Sequence, residues 1–187
     1  MALKATIYKS TVQLADMDRN LYGDYELTIA RHPSETDERL LIRLVAFALN
    51  VPANPDDGRL EFAKDMWDAD EPALWRKSLT GDLEEWIEVG QPDEKRLLQC
   101  CGRSRHVTVY SFASSASQWW SSMGPKISSA RNLAVWQIPA KQSQALAELA
   151  NRTMKIDVTV QDGTIWMGDG GKSLEVSPVR LLETAPR

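Results

Sequence analysis

Acidic side chains at three places in this chain have the type and spacing that a metal-dependent phosphodiesterase would need. They are Glu38, Glu71 and Glu88. Mg²⁺ prefers hard oxygen ligands and is usually held by one or two carboxylates together with waters and substrate phosphates. Such an ion positions a water, lowers the pKa of that water and stabilises charge on the phosphate. We therefore take the three glutamates as candidate catalytic and metal-binding residues.

A predicted β-hairpin brings two of these acids to one face. Two short strands, 73–79 and 83–89, flank a turn at 80–81. If that turn has two residues, facing positions sum to 161, and Glu71 and Glu88 become diagonal neighbours with backbones roughly 7 to 8 Å apart. A slip of one residue in this register would place the two acids on opposite faces.

The first predicted helix supplies the third acid. Ser34 is a suitable cap with Asp37 three positions later, and the helix is expected to run over 34–49. Glu38 falls on the apolar stripe of this helix, so its side chain is expected to point inward, with Glu35 as the alternate. The stripe consists of Leu41, Leu44, Val45 and Ala48.

A cation near these acids would assist the transition state. Lys95 lies one turn into the helix that follows Glu88, and helical side chains lean toward the N-terminus, so its ammonium can reach back to the strand end. Arg96 is the alternative.

A second interpretation gives the three glutamates no catalytic role. In it they are solvated or paired with basic neighbours. Those neighbours are Arg39, Arg43 and Lys77.

The net charge of the 187-residue chain limits its partners. At −4, with a pI of about 5.3, the molecule as a whole does not attract phosphate backbones. Nucleic-acid binding would need a local basic face, for which Arg96, Arg103 and Arg105 are the candidates, with further bases nearby. Those further bases are Lys95, Lys126 and Arg131. The alternative is that all six are solvated helix ends and loops.

Cysteine and histidine content excludes several other classes of site. Cys100 and Cys101 are adjacent, which rules out a CxxC metal or redox pair and favours buried thiols on a helix. With only His32 and His106, no histidine-rich zinc site can form. Neither a secretory signal nor a membrane-length apolar run is present, so we expect a cytoplasmic protein.

The remaining pattern predicts an α/β fold in one domain, 1–187. The chain opens with a β-hairpin whose inward residues are expected to include Ala5 and Ile7, and it ends with a three-stranded meander over 156–176. Between them helices and strands alternate, with one helix starting at Pro92. The mixed order favours a mixed sheet flanked by helices.

Several long strings of residues are similar to those of a known family. They are Arg31-His32-Pro33-Ser34-Glu35-Thr36, Asp70-Glu71-Pro72, the run from Trp86 to Glu94, Asn151-Arg152-Thr153-Met154 and Gln161 to Trp166. With the opening Met-Ala-Leu-Lys-Ala-Thr, they resemble the YaeQ family of small bacterial proteins over essentially the whole chain. The resemblance implies a variation of the PD-(D/E)XK nuclease core.

In that superfamily an acidic helix precedes a hairpin with an acid entering its first strand and an ExK motif leaving its second. Glu38, Glu71 and Glu88 fall in this order, but Gly90 stands at the ExK lysine position. Taken with the carboxylate pattern, this order leads to the hypothesis of a monomeric Mg²⁺-dependent nuclease in which Lys95 or Arg96 replaces the missing lysine. The alternative is a catalytically inactive nuclease-like fold that binds nucleic acid or a protein.

Overall fold

A computed structural model describes residues 4–183, in which eleven strands and four α-helices form two mixed sheets. The strands are β1 (Thr6–Asp16), β2 (Leu21–Arg31), β3 (Arg59–Phe62), β4 (Leu74–Lys77), β5 (Leu83–Val89), β6 (His106–Ser111), β7 (Leu133–Gln137), β8 (Thr153–Gln161), β9 (Thr164–Gly168), β10 (Ser173–Val176) and β11 (Val179–Glu183). The helices are α1 (Asp37–Asn50), α2 (Glu94–Arg103), α3 (Ala116–Ile127) and α4 (Ala140–Leu146). None of the helices in this described part is long and apolar enough to cross a membrane.

The first sheet joins the two N-terminal strands to the strands β8, β9 and β10. Its strand order is β10-β9-β8-β1-β2, so the N-terminal hairpin and the C-terminal meander, both predicted, are neighbours. They meet through parallel pairing of β1 with β8, in which Val12 lies opposite Ile156. This long-range contact has no local sequence signal, because parallel partners need not be close in the chain.

The second sheet positions the candidate site. Its order is β11-β7-β6-β5-β4-β3, with β5, β6 and β7 parallel and connected through α2 and α3. The expected hairpin register is confirmed where β4 and β5 pair, since Leu74 faces Ile87 and Trp75 faces Trp86. A bulge between Arg76 and Lys77 shifts the register next to the turn.

Two cores lie on opposite faces of the second sheet. One surrounds α1, which is buried along most of its length between the two sheets, and contains Leu74 and Ile87. The other contains Trp86 and lies under α2 and α3. The alternation of side chains along β5 therefore sends Ile87 toward α1 and Trp86 toward α2.

The helix starts differ from those expected. The α1 cap is Thr36, whose Oγ1 accepts the backbone N–H of Arg39 at 3.1 Å, so the prediction of Ser34 as the cap was wrong. The N–H of Ser34 instead donates to Nδ1 of His32 at 3.0 Å. Similarly, α2 does not begin at Pro92. Its cap is Asp93, which leaves the proline outside the helix.

The inward face of β1 also differs from the expectation. Ile7 is 42% exposed, whereas Tyr8, Val12 and Leu14 are buried. The prediction used the alternation of apolar and polar residues over 3–7. Residue 3 lies outside the described residues. The buried set is fixed instead by the longer run that pairs with both β2 and β8.

Candidate functional site

Glu88 lies in β5 on the face that α2 covers, and one of its carboxylate oxygens carries its described contacts. Oε1 accepts the indole N–H of Trp86 at 2.6 Å and the Nε–H of Arg96 at 3.0 Å, and it forms an ion pair with Nη2 of the same guanidinium at 2.9 Å. The residue is 7% exposed. A buried carboxylate needs such compensation, since loss of hydration is costly. Arg96 therefore neutralises Glu88.

Arg96 is fully engaged in this position. Its other N–H groups donate to the backbone carbonyls of Ala69 and Glu71, the latter at 3.1 Å. Burial alone would lower the pKa of Arg96, but hydrogen bonding and attraction from Glu88 outweigh that effect and raise the pKa. The guanidinium thus lies between Glu88 and the backbone of Glu71. It is therefore not positioned to bind the phosphates of a nucleic acid.

The structure does not bring the other predicted site residues to Glu88. Glu71 precedes β4, and its Oε2 accepts the backbone N–H of Lys64 at 2.7 Å. Glu38 is half-buried in the first turn of α1, where burial raises the pKa of its carboxyl. Lys95 is exposed and has no hydrogen bond or ion pair to the other described residues.

In this arrangement Glu38, Glu71 and Glu88 do not come together as a three-carboxylate magnesium site. Mg²⁺ requires several oxygens at near-octahedral positions. Within residues 4–183, no three His, Cys, Asp or Glu side chains lie close enough together to hold a metal. Moreover, Oε1 of Glu88 already accepts an indole and a guanidinium. No metal-dependent step follows from this arrangement.

The backbone favours glycine at Gly90, the position where the resemblance would place an ExK lysine. Its φ is +122°, a conformation that L side chains rarely adopt, and its N–H donates to the Tyr110 carbonyl at 2.9 Å. A side chain at this position would have room, since no heavy atom lies within 4 Å of an added Cβ. Backbone conformation, more than space, therefore favours glycine here.

The acid that is most deeply buried near the start of α1 is Glu35, not Glu38. Its Oε2 lies 2.5 Å from Nη1 of Arg39 and its Oε1 lies 2.5 Å from Nη2 of Arg43. Arg39 also binds Asp65 through both carboxylate oxygens, at 2.7 and 2.8 Å. We call Glu35, Arg39, Arg43 and Asp65 the arginine–carboxylate cluster.

Charge balance stabilises this cluster. Burial acts to lower the pKa of Arg39, but hydrogen bonds and attraction from Asp65 and Glu35 outweigh it and raise the pKa. Asp65 has a φ of +55°, which aspartate tolerates better than most residues. The pairing of Arg39 and Arg43 with acids was the alternative left open by the sequence, although their partners here are Glu35 and Asp65.

Asp65 was missed because it belongs to no motif and lies in a short 3₁₀ turn. The other three members carried a usable signal. Glu35, Arg39 and Arg43 are spaced four residues apart, and side chains at this spacing lie on one face of a helix.

A basic surface lies at the end of the second sheet where β6 and β7 begin. Its members end or follow α2 and α3 and are all exposed. We call this set the basic edge, and it consists of Arg103, Arg105, Lys126 and Arg131. Asn132 joins its two loops, since its Nδ2 donates to the carbonyls of Cys101 and Ser104 at 2.9 Å each.

The side chains around the basic edge have mainly structural contacts. The guanidinium of Arg103 lies 5.1 Å from the ring centroid of buried Trp86. Arg105 pairs with Glu84 at 3.3 Å, in an arrangement where the arginine side chain is 68% exposed. Trp119 donates to the Pro92 carbonyl at 2.9 Å and packs on the second core. The guanidinium groups of Arg103 and Arg105 remain accessible to an anionic partner.

Comparisons with known proteins agree with the resemblance described above. The family model described as YaeQ protein matches residues 1–178. The chain is 42% identical to the uncharacterized protein YaeQ of Escherichia coli strain K12, over 95% of this chain and 96% of that protein. It is also 42% identical to the protein of the same name from Salmonella typhi, over 94% of this chain and 95% of that protein.

Two crystal structures have the same fold. The YaeQ protein of Xanthomonas axonopodis pv. citri is 40% identical, with a TM-score of 0.89 over 98% of this chain and 100% of that one. The YaeQ protein of Pseudomonas syringae is 37% identical, with a TM-score of 0.88 over 96% and 97% of the two chains. The chain therefore belongs to the YaeQ family.

Proposed function

We propose that this protein binds nucleic acid through the basic edge and does not cleave it. The observation that carries the proposal is a separation of charge along the chain. Between Glu94 and Glu148 there are seven lysines and arginines and no aspartate or glutamate, in a molecule whose net charge is −4. This segment contains most of α2 and all of β6, α3 and β7.

The geometry of the basic edge supports contact with phosphates. Lys126 and Arg131 have no ion pair with any carboxylate in residues 4–183, and the exposed pair of Arg105 with Glu84 is of the kind that contributes little energy. Arginine binds phosphate oxygens in a bidentate manner. Basic residues at the C-terminal ends of helices also offset the helix dipole. The test must therefore distinguish phosphate binding from a purely structural role of these bases.

A Mg²⁺-dependent nuclease of the PD-(D/E)XK type is the second candidate. The order α1, then the antiparallel β3, β4 and β5, then α2 and β6 follows the core implied by the resemblance. On this proposal Glu38, Glu71 and Glu88 hold the metal and Lys95 assists. Arg96 would first have to leave Glu88. Metal-dependent cleavage that Glu88→Gln abolishes would support it.

Charge reversal tests binding by the basic edge. We expect the double variant Lys126→Glu with Arg131→Glu to bind a fluorescein-labelled DNA duplex or single-stranded RNA of 20 nucleotides at least tenfold more weakly than wild type. The slope of log K against log salt should fall by about 2, because roughly one counterion is released for each phosphate contact. Fluorescence anisotropy at several salt concentrations measures both quantities.

Lys155→Glu is the matched control, since Lys155 is exposed on β8 in the other sheet. It should leave the salt slope near that of wild type. The control changes the net charge by −2 and the double variant by −4. A loss in the control that is half as large on a logarithmic scale would therefore mean that net charge alone governs binding, which contradicts a site at the basic edge.

We also propose a cytoplasmic monomer. Cys100 and Cys101 are free thiols, which is the usual state in a reducing compartment. Acids on the β2 edge strand oppose pairing between two copies at that edge. Light scattering of the purified protein should give the mass of one chain, and a dimer mass would contradict the proposal.

A further inference from the structure

A groove separates the edge strands of the two sheets. β2 ends the first sheet and β3 ends the second, and two cavities of about 640 and 360 Å³ lie in succession between them. The larger is lined by residues within 21–27 and 58–60, and the smaller by Thr28, Ala30 and 61–63. No backbone hydrogen bond joins β2 to β3 within residues 4–183. We call this the edge groove.

The backbone of β2 presents unpaired hydrogen-bonding groups to the groove. The N–H of Lys9 on β1 donates to the Arg152 carbonyl, which lies on the side of β8. Thr28 is the residue of β2 that faces Lys9, so the N–H and C=O of Thr28 point away from β1. The C=O of Ala30 accepts Arg43 on that same side at 3.2 Å. The backbone N–H and C=O of every second residue of β2 point in this direction. Besides Thr28 and Ala30, these residues are Tyr22, Asp24 and Glu26.

The inner side of the edge groove is apolar. The ring of Phe47 from α1 lies 5.4 Å from the ring of Tyr25 on β2 and 5.8 Å from the ring of Phe62 on β3. Leu27 and Leu60 pack on the same core. A strand that entered the groove would therefore place every second side chain against apolar surface.

The outer side is acidic. Asp24 and Glu26 on β2 and Glu61 on β3 are exposed, and none of the three has an ion pair with another residue of 4–183. The unpaired base among the lining residues is Arg59. Side chains of an added strand that lie beside Asp24 and Glu26 would thus be favoured when basic.

We infer that the edge groove binds an extended segment of another protein in which basic and apolar residues alternate, and that this segment pairs with β2 as an added strand. Strand addition obtains affinity from main-chain hydrogen bonds and specificity from alternate side chains. A second copy of the chain fits less well, because antiparallel pairing of β2 with itself about Tyr25 sets Asp24 opposite Glu26. The groove and the basic edge lie on different elements, so this inference stands apart from the proposed function.

A peptide of eight residues that alternates lysine with valine, capped at both ends and labelled with fluorescein, is the probe. We expect saturable binding by anisotropy at 150 mM salt. The double variant Asp24→Lys with Glu26→Lys should bind at least tenfold more weakly. Glu175→Lys is the matched control, because Glu175 is exposed on β10 at the opposite edge of the same sheet.

Amide hydrogen exchange with the peptide bound locates the contact. The outward amides of β2 should gain protection. They are those of Tyr22, Asp24, Glu26 and Thr28. No saturable binding, or equal affinity for a peptide with four lysines followed by four valines, would overturn the inference. Weakening by Glu175→Lys that is half as large on a logarithmic scale as that of the double variant, or larger, would overturn it as well. So would protection located elsewhere.

Discussion

At the scale of single residues, the partner of Glu88 decides what this site can do. A carboxylate whose Oε1 accepts both an indole and a guanidinium is already compensated, so it needs no metal to remain charged. Arg96 holds that position from α2, and Gly90 adopts a φ of +122° at the place where a lysine would be expected. Glu88 and Arg96 therefore form a buried ion pair with no net charge.

The same environment controls the thiol of Cys100. Burial, with the nearby charge of Glu88, raises the pKa of Cys100 from 9.0 to about 12. The unfolded chain releases this proton at lower pH than the folded chain does, so Cys100 stabilises the fold fully below about pH 9 and loses that contribution as the pH rises toward 12. Urea unfolding midpoints measured from pH 8 to 11 should fall more steeply for wild type than for Cys100→Ala. Parallel curves for the two proteins would contradict this.

At the scale of elements, the arginine–carboxylate cluster anchors the start of α1 to both sheets. Arg39 donates to the Val89 carbonyl of β5 at 3.2 Å, and Arg43 donates to the Ala30 carbonyl of β2 at 3.2 Å. Arg31 adds a third connection, since its Nε donates to the Glu35 carbonyl at 2.9 Å. The orientation of α1 therefore depends on buried charges as well as on its apolar face.

Removing Glu35 should destabilise the protein strongly. Glu35→Ala removes the carboxylate that lies 2.5 Å from Arg43, which is 2% exposed and keeps only the more distant Asp65 at 3.8 Å, and removal of one partner of a buried ion pair costs about 3 to 5 kcal/mol. Chemical denaturation measures the loss. Glu148→Ala removes an exposed partner of Lys172 and should leave the midpoint near that of wild type. Comparable midpoints for the two variants would show that the cluster does not stabilise the fold.

Local patterns predicted most of these elements but not their long-range partners. The alternation in β4 and β5 with a turn between them was sufficient for the register, because the hairpin contacts are close in sequence. The β1 to β8 pairing and the strand β11 depend on residues far apart in the chain. In the same way the spacing predicted that Glu88 and Trp86 lie on one face of β5, whereas the pairing of Glu88 with Arg96 depends on how α2 docks on β5.

At the scale of the whole molecule, charges of opposite sign occupy different places. The basic edge lies at the ends of α2 and α3, and the unpaired acids of the edge groove lie on β2 and β3. Summed over the chain the acids prevail, with a net charge of −4. The net charge therefore does not reveal the basic edge, on which the proposed contact with a polyanion depends.

One measurement tests most directly whether this protein binds nucleic acid without cleaving it. A labelled 20-base-pair duplex is incubated with wild type at low salt, with Mg²⁺ or with EDTA, and anisotropy and gel electrophoresis then report binding and strand length on the same sample. We predict that the duplex is bound in both conditions and remains intact. Cleavage that requires Mg²⁺ and is lost in Glu88→Gln would contradict the account.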